Sequence, residues 1–249
     1  MKSNVIIEKV SLDSLIYFCF GITLDDELDL ILDKVIEKAY SDATNQGAFN
    51  TKADSKLAVL AKYEKDGSLD IIKQKISELF DENVSDFELW HNETCKDLVK
   101  CYSDCGLENI FTYGNAQKWV NMSLKYLFIL SGASEHYKGE SVKKLLSIRN
   151  YTTKLHIPID SYIIDILWKE GINSLPLKDG VNVDRNKDYV VPSEYVKGWS
   201  NWNEDDYVTV KKESMKICGE VPIEWESYEW IKRAKERKKW RYICTGKSR

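Results

Sequence analysis

One pattern recurs along this chain and narrows what it can fold into. Apolar residues return every three or four positions, and each such run is bracketed by residues that start or stop helices. In "LDDELDLILDKVIEKAYSDA" the residues Leu28, Leu30, Ile31, Val35, Ile36 and Tyr40 fall on one broad face, the spacing of a helix that buries one side. "SLDIIKQKISELF" repeats the pattern with Ser68 as its cap. "VSDFELWHNETCKDLVKCYSDCG" offers two starts, Ser85 with Glu88 and Thr94 with Asp97, and a stop at Gly106.

Further helices are expected from Asn115 to about Leu130, over "ESVKKLLSIRN", from Asp160 to Gly171, over "NEDDYVTVKKESMKIC", and from Pro222 onward. Residues 172–200, with Pro176, Gly180 and Pro192, read as loop. "NVIIEKV" near the start is the one fair strand signal. The class is therefore mainly α with a short N-terminal strand. Four prolines, no low-complexity linker and no internal repeat imply one functional unit.

At 249 residues, 43% hydrophobic and 31% charged, the chain can bury a real core. The longest apolar stretch, "SLIYFCFGITL", is too short to span a bilayer and runs into "DDELD". No membrane association and a cytoplasmic location are the expectation. Six cysteines in a Lys- and Glu-rich chain suggest reduced thiols rather than a disulfide scaffold. The net charge of −4 conceals a gradient: Ile231 to Arg249 hold nine Lys or Arg and one Glu, leaving −12 for the other 230 residues. Such a basic block, with Trp240 and Tyr242 inside it, suits either phosphates or plain solvation.

The chain carries no P-loop, GxGxxG, HExxH or GxSxG. Carboxylates such as Glu224, Glu226, Asp205 and Asp206 fit acidic first turns of helices. His91 and Cys95 are four apart, as are Cys101 and Cys105. Zinc accepts a Cys₃His set, whereas small packing residues are the plainer reading.

Two stretches stand apart. "FTYGNAQKWVNMSLKYL" puts a Gly-Asn turn before an apolar helix with Lys118 in its first turn, and "LHIPIDSYIIDIL" uses Ile-Pro-Ile to lead into Asp160 at the start of another. Together they resemble the helix-hairpin-helix DNA glycosylase superfamily, which includes endonuclease III and the 8-oxoguanine glycosylases. There a Gly-x-Gly hairpin precedes a lysine and a later Pro-Val-Asp opens a helix. Gly114 matches the first glycine, Lys118 the lysine, and Ile157 to Asp160 the aspartate segment. The likeness covers about fifty residues. Ala116 stands where the second glycine belongs, and Lys118 and Asp160 are 42 residues apart, so "SGASEHYKGESVKKLLSIRN" is an insertion.

The resemblance implies two helical lobes, roughly 50–150 with the hairpin, and 1–49 packed with 151–249. They would meet at a cleft where a modified or damaged base is excised from flipped-out double-stranded DNA, without cofactor or metal. Asp160 would stabilise the oxocarbenium character of the sugar. Lys118, its ammonium disfavoured at an apolar helix mouth, would act as the amine nucleophile and form a Schiff base, with Lys125 seven residues on as the alternate. Backbone N–H groups of Gly114, Asn115, Ala116 and Gln117, with Lys125, would hold phosphate. Trp119, Trp199 and Trp202 would wall the base pocket. Two other readings stand beside this one: a non-catalytic helix-hairpin-helix nucleic-acid-binding protein, and a helical protein-interaction module without nucleic acid, to which the acidic bulk charge points.

Overall fold

The computed structural model describes the backbone of residues 2–44, 55–81, 84–108, 110–134, 137–181 and 192–245, and their side chains apart from residues 2–8, 55–66, 192–193 and 238–245. The protein is mainly helical, and the described residues contain no β-strand. The helices are α1 (Lys2–Phe20), α2 (Leu28–Thr44), α3 (Ser55–Phe80), α4 (Phe87–Asp104), α5 (Tyr113–Gly132), α6 (Glu140–Leu146), α7 (Ser161–Lys169), α8 (Pro192–Tyr195), α9 (Glu204–Ser214) and α10 (Pro222–Thr245). None of them is long and apolar enough to cross a membrane.

The segment expected as a strand, "NVIIEKV", lies inside α1. A solitary strand leaves its backbone donors and acceptors without partners, whereas a helix satisfies them within itself. Ser68 is not a cap but a fully buried residue inside α3, its hydroxyl 3.7 Å from the Cys101 sulfur. The two starts expected around Ser85 and Thr94 resolve into one helix. Asp86 caps α4 by accepting from the Leu89 N–H at 3.1 Å, and Thr94 lies buried within it. Gly106, at φ +74°, ends it as expected. Residues 172–181 and 196–198 are largely irregular apart from a single antiparallel bridge, Leu177 to Val196; residues 182–191 lie outside the described residues, as does the tail from 246.

Helix α5 runs through the middle. It packs most extensively on α2, then on α4, and also meets α6, α9 and the 3-10 turn Trp199–Asn201. Its residues from Tyr113 to Leu124 are all buried, so it is enclosed on every side rather than striped. Trp119 shows the packing: its indole N–H donates to Ile36 O of α2 at 3.0 Å and its ring meets Tyr40 edge-on at 4.8 Å. Buried apolar residues of α2, α3, α4, α5, α7 and α9 belong to one continuous core. Among the described residues, α2 and α5 share the most extensive helix–helix packing.

The chain enters α5 through a tight closure. Thr112 is the N-cap, in a capping box with Asn115: Asn115 N–H donates to Thr112 Oγ1 at 3.3 Å and Thr112 N–H to Asn115 Oδ1 at 3.0 Å. The expected Gly-Asn turn is therefore already helix. Gly114 is needed for a reason of space, since a Cβ there would sit 1.8 Å from the Trp199 carbonyl oxygen and 3.0 Å from its carbon. Gly114→Ala should consequently destabilise the fold by about 3 kcal/mol or more, the upper range for overpacking. Thr112→Ala should remove about 1 kcal/mol through the lost cap. Urea denaturation of the two variants beside wild type tests both numbers, and a neutral Gly114→Ala would show that the turn 199–201 can move away.

Candidate active site at the Lys118–Asp160 contact

The buried stretch Leu155–Ile159 runs extended into α7, and Asp160 caps that helix. Its two oxygens divide the work. Oδ1 accepts the Tyr162 and Ile163 N–H groups at 2.9 and 3.0 Å. Oδ2 accepts from Lys118 Nζ at 3.2 Å and from the Trp230 indole N–H at 3.0 Å. Burial alone would push the Asp160 carboxyl up. The Lys118 charge, the Ile163 N–H and the Trp230 indole outweigh it and hold the group below its ordinary value. The two residues paired by the sequence reading therefore do touch, and Lys118 is only 5% exposed.

A second pair lies along the same face of α5. Lys125, two turns beyond Lys118, meets Glu226 of α10 at 2.5 Å. Glu226 is almost fully enclosed, and that burial raises its carboxyl despite the nearby Lys125 and Lys118 charges; Asp160 pushes the same way as burial. Asp165, one turn along α7 from Ser161, is clamped by two arginines: Arg233 reaches it through Nε and Nη2 at 3.1 and 2.9 Å, and Arg237 through Nε at 2.8 Å and Nη2. The Arg237 guanidinium also lies over the Tyr162 ring at 4.1 Å, and Tyr162 meets Trp230 at 5.0 Å. Two lysines, two carboxylates, an indole and an arginine clamp thus bind α5, α7 and α10 into one layer.

The α10 contribution was missed from sequence. Its signal was present: Glu226, Trp230, Arg233 and Arg237 fall on one helical face, and Asp165 interrupts the apolar run "SYIIDILW". The acidic first turn explained Glu226 cheaply, and nothing in the chain order said which helix α10 would cover.

Other expected site residues sit elsewhere. Gly114, Asn115, Ala116 and Gln117 are buried in the first turn of α5. Gly114 N–H donates to Trp202 O at 3.0 Å, and the Asn115 and Ala116 N–H groups return to Thr112 O at 3.0 and 3.1 Å. The Gln117 side-chain amide donates to Gly114 O at 2.9 Å. These donors are consumed inside the fold and do not face outward toward a phosphate, because the helix begins one residue before Gly114 rather than after it. Trp119 and Trp202 are fully buried core residues, the latter donating to Lys197 O at 2.9 Å. Trp199 is half-buried beside Gly114. The aromatic groups next to Asp160 are instead Trp230 and Tyr162.

His91, Cys95, Cys101 and Cys105 do not converge. Cys95 and Cys105 are ten residues apart along α4, about 15 Å of rise, and among the described residues no three His, Cys, Asp or Glu form a metal-sized group. His91 and Cys95 instead begin a buried polar chain. The Asn121 amide nitrogen lies 3.0 to 3.1 Å from Gln117 Oε1, Ile157 O and the Tyr207 hydroxyl, three acceptors that share its two hydrogens. Its Oδ1 must then accept from His91 Nε2, 2.7 Å away, which leaves the His91 Nδ1 lone pair facing the Cys95 sulfur at 3.9 Å. The Tyr207 hydroxyl donates to His156 Nδ1 at 3.1 Å, and His156 Nε2 donates to Glu88 at 2.9 Å. Lys211 closes the far end on Glu88 at 2.5 Å.

Cys95, His91 and Asn121 have the order of a nucleophile, a base and an orienting amide. Burial removes the chemistry: it drives the Cys95 thiol up and the His91 imidazole well down, so the pair stays uncharged. The two imidazole rings lie 4.2 Å apart at their centroids, and burial also lowers His156, against the pull of Glu88.

The chain matches no protein-family model, no curated protein and no solved structure.

The two histidines make stability depend on pH. Both have folded values below the unfolded one, near about 6.5, so the unfolded chain binds more protons as pH falls past that point. Their contribution is full above about pH 7 and is lost progressively as pH falls below that, with a slope of at most about 1.4 kcal/mol per pH unit for each ring. Glu88, lowered from 4.5 to about 2 first by its bond to His156, adds a smaller, solvent-screened loss between those two values. Urea midpoints measured from pH 8 to 5 should fall accordingly, and His156→Gln should remove about half of the slope. A flat profile would show that the rings charge freely inside the fold.

Proposed function

We propose that this protein is a base-excision glycosylase acting on DNA, with strand-lyase chemistry at Lys118. The contact between Lys118 and Asp160 carries the reading: residues 42 apart, singled out by their likeness to the helix-hairpin-helix glycosylases, meet at 3.2 Å beneath an indole. Only Oδ2 of Asp160 is turned to the lysine, while Oδ1 holds the helix cap, so the carboxylate can act without unwinding α7.

In this reading Lys118 gives a proton to the departing base, while Asp160, held below its ordinary value, stays ionised. The Lys118 amine nitrogen then attacks the sugar C1′, and the N-glycosidic electron pair leaves with the base, which is protonated on departure. Negative charge at Asp160 stabilises the positive sugar in between. Opening of the sugar ring converts the amine adduct to a Schiff base, and loss of a C2′ proton expels the 3′ phosphate. Because Lys118 is 5% exposed, the sugar must displace the Trp230 side of α10 to reach it. Tyr162 and Trp230 then replace Trp119 and Trp202 as the aromatic walls against an extruded base.

A second reading has its own observation. The N–H groups at the start of α5 are spent internally, and all four contacts of Asp160 are already made within the fold. That favours a tie between α5, α7 and α10 in a nucleic-acid-binding protein without chemistry. Borohydride reduction in the presence of an abasic-site duplex separates the two. The glycosylase reading expects a covalent protein–DNA adduct that disappears in Lys118→Ala, persists in Lys125→Ala, and forms at least about 100-fold more slowly in Asp160→Asn. No adduct alongside intact DNA binding selects the second reading. No binding even at low salt, where phosphate contacts are strongest, removes both and leaves a protein-interaction module.

A further inference from the structure

Helix α10 has two faces with different employment. Glu226, Trp230, Arg233 and Arg237 turn inward onto Lys125, Asp160 and Asp165. The outward face carries Tyr228, Ile231, Lys232 and Lys235, at helical spacing. Tyr228 is 71% and Ile231 51% exposed, and both lysines are exposed. These four and Glu236 line a shallow recess of about 390 Å³. From Ile231 to its end at Thr245 the helix has seven Lys or Arg against the single Glu236, in a protein whose net charge is −4.

We propose that this outward face of α10 is a contact surface for a nucleic-acid backbone, with Lys232 and Lys235 on phosphates and Tyr228 against a sugar or base. From Ile231 onward the charge of α10 is of the right sign, whereas the remainder of the chain would repel a polyanion, and a phosphate would take Lys232 from its exposed pair with Glu229 at 3.2 Å. Tyr228 and Lys235 are seven residues apart, about 10.5 Å along the axis, which is about three phosphate steps of one strand. An exposed aromatic beside paired lysines is the arrangement by which proteins follow a strand without reading its sequence. Two apolar side chains among two lysines and a glutamate are too few to enter a bilayer, so a lipid surface fits less well. Glu236 is drawn off this face by Arg233 at 3.0 Å and Lys169 at 3.2 Å, which reduces its repulsion of a phosphate. The surface lies on the back of the helix whose inward face meets Asp160 through Trp230, so α10 stands between a strand held there and the candidate site.

The inference rests on the reading of the chain as a nucleic-acid protein and needs no chemistry at Lys118. Its test is fluorescence anisotropy with a labelled duplex containing a tetrahydrofuran abasic analogue, from 50 to 200 mM salt. The Lys232→Ala/Lys235→Ala double variant is compared with Lys143→Ala/Lys144→Ala, exposed lysines of α6. All four positions are solvent-facing, and circular dichroism melts verify folding. The α10 variant should bind at least 10-fold more weakly at low salt, with log K against log salt shallower by about 2, while the α6 variant keeps the wild-type slope. Wild-type binding with an unchanged slope in the α10 variant overturns this surface and leaves the proposed function standing. Equal losses in both variants, or tighter binding to phosphatidylserine vesicles than to the duplex, also overturn it. Absence of binding by the wild type overturns both. Absence of a borohydride adduct with the expected slope change removes the chemistry and keeps the surface.

Discussion

Helix α5 is buried on every side from Tyr113 to Leu124 and yet polar there, and bonds within it and to its neighbours satisfy that polarity with the exception of Asn115 Nδ2. Asn115, Gln117, Lys118, Asn121 and Ser123 all lie inside, where an unpaired polar group is costly. Each recruits a different neighbour: Asn115 makes the capping box with Thr112, Gln117 reaches Gly114 O, Lys118 draws Asp160, Asn121 gathers His91, Ile157 O and Tyr207, and Ser123 bonds back to Trp119 O. The Leu155–Ile159 stretch, α7 and α9 are held by these bonds as much as by apolar contact. A central helix of this composition is specified by partners in three dimensions, since no single face of it is free to be solvated.

This explains what could be read from the chain order. Helices with one apolar face, such as α2 and α4, announce themselves, because the period of their burial is the period of the sequence. Asp160 was legible as a cap for a local reason, its N–H partners being two and three residues on. Its contact with Lys118 was reached through likeness to a known pair of motifs, and nothing local encodes it. The Gly114 reading went astray because a glycine before a helix has several uses. Only the Trp199 carbonyl, 85 residues further along, shows that space rather than a turn requires it. Trp119 and Trp202 failed as pocket walls for a general reason: a large aromatic next to apolar helices gains most by burial, and both were taken into the core. Trp230 was overlooked because its meaning depends on which face of α10 meets α7.

The candidate site sits between two physical demands. An ion pair enclosed to this degree is a strong structural constraint: removing one partner leaves a charge without compensation and costs about 3 to 5 kcal/mol in comparable settings. A nucleophilic amine, in contrast, must be released from its carboxylate and reach a substrate. Asp160 divides its oxygens, one committed to the α7 cap and one to Lys118 and Trp230. Loss of the Lys118 contact would still leave Oδ2 an indole donor, so the aspartate is not orphaned when the amine departs. Nothing comparable holds for Cys95, whose thiol, pushed up by burial, faces an imidazole pushed down by the same burial. Of the two nucleophile-like arrangements in the fold, burial disables one and leaves the other with a charged partner.

Helix α10 is where these demands can be reconciled. It covers the pair through one indole and is fastened to α7 mainly by Arg233 and Arg237 on the single carboxylate of Asp165. Arg233 is shared with Glu236 at 3.0 Å, so Asp165 and Glu236 together face the two guanidinium groups, and an incoming phosphate would compete with Asp165 for Arg237. Arg237 is the outer of the two and also bonds Ser161 at the mouth of α7. A polyanion drawn to α10 would therefore loosen the same contacts that close Lys118 away from solvent.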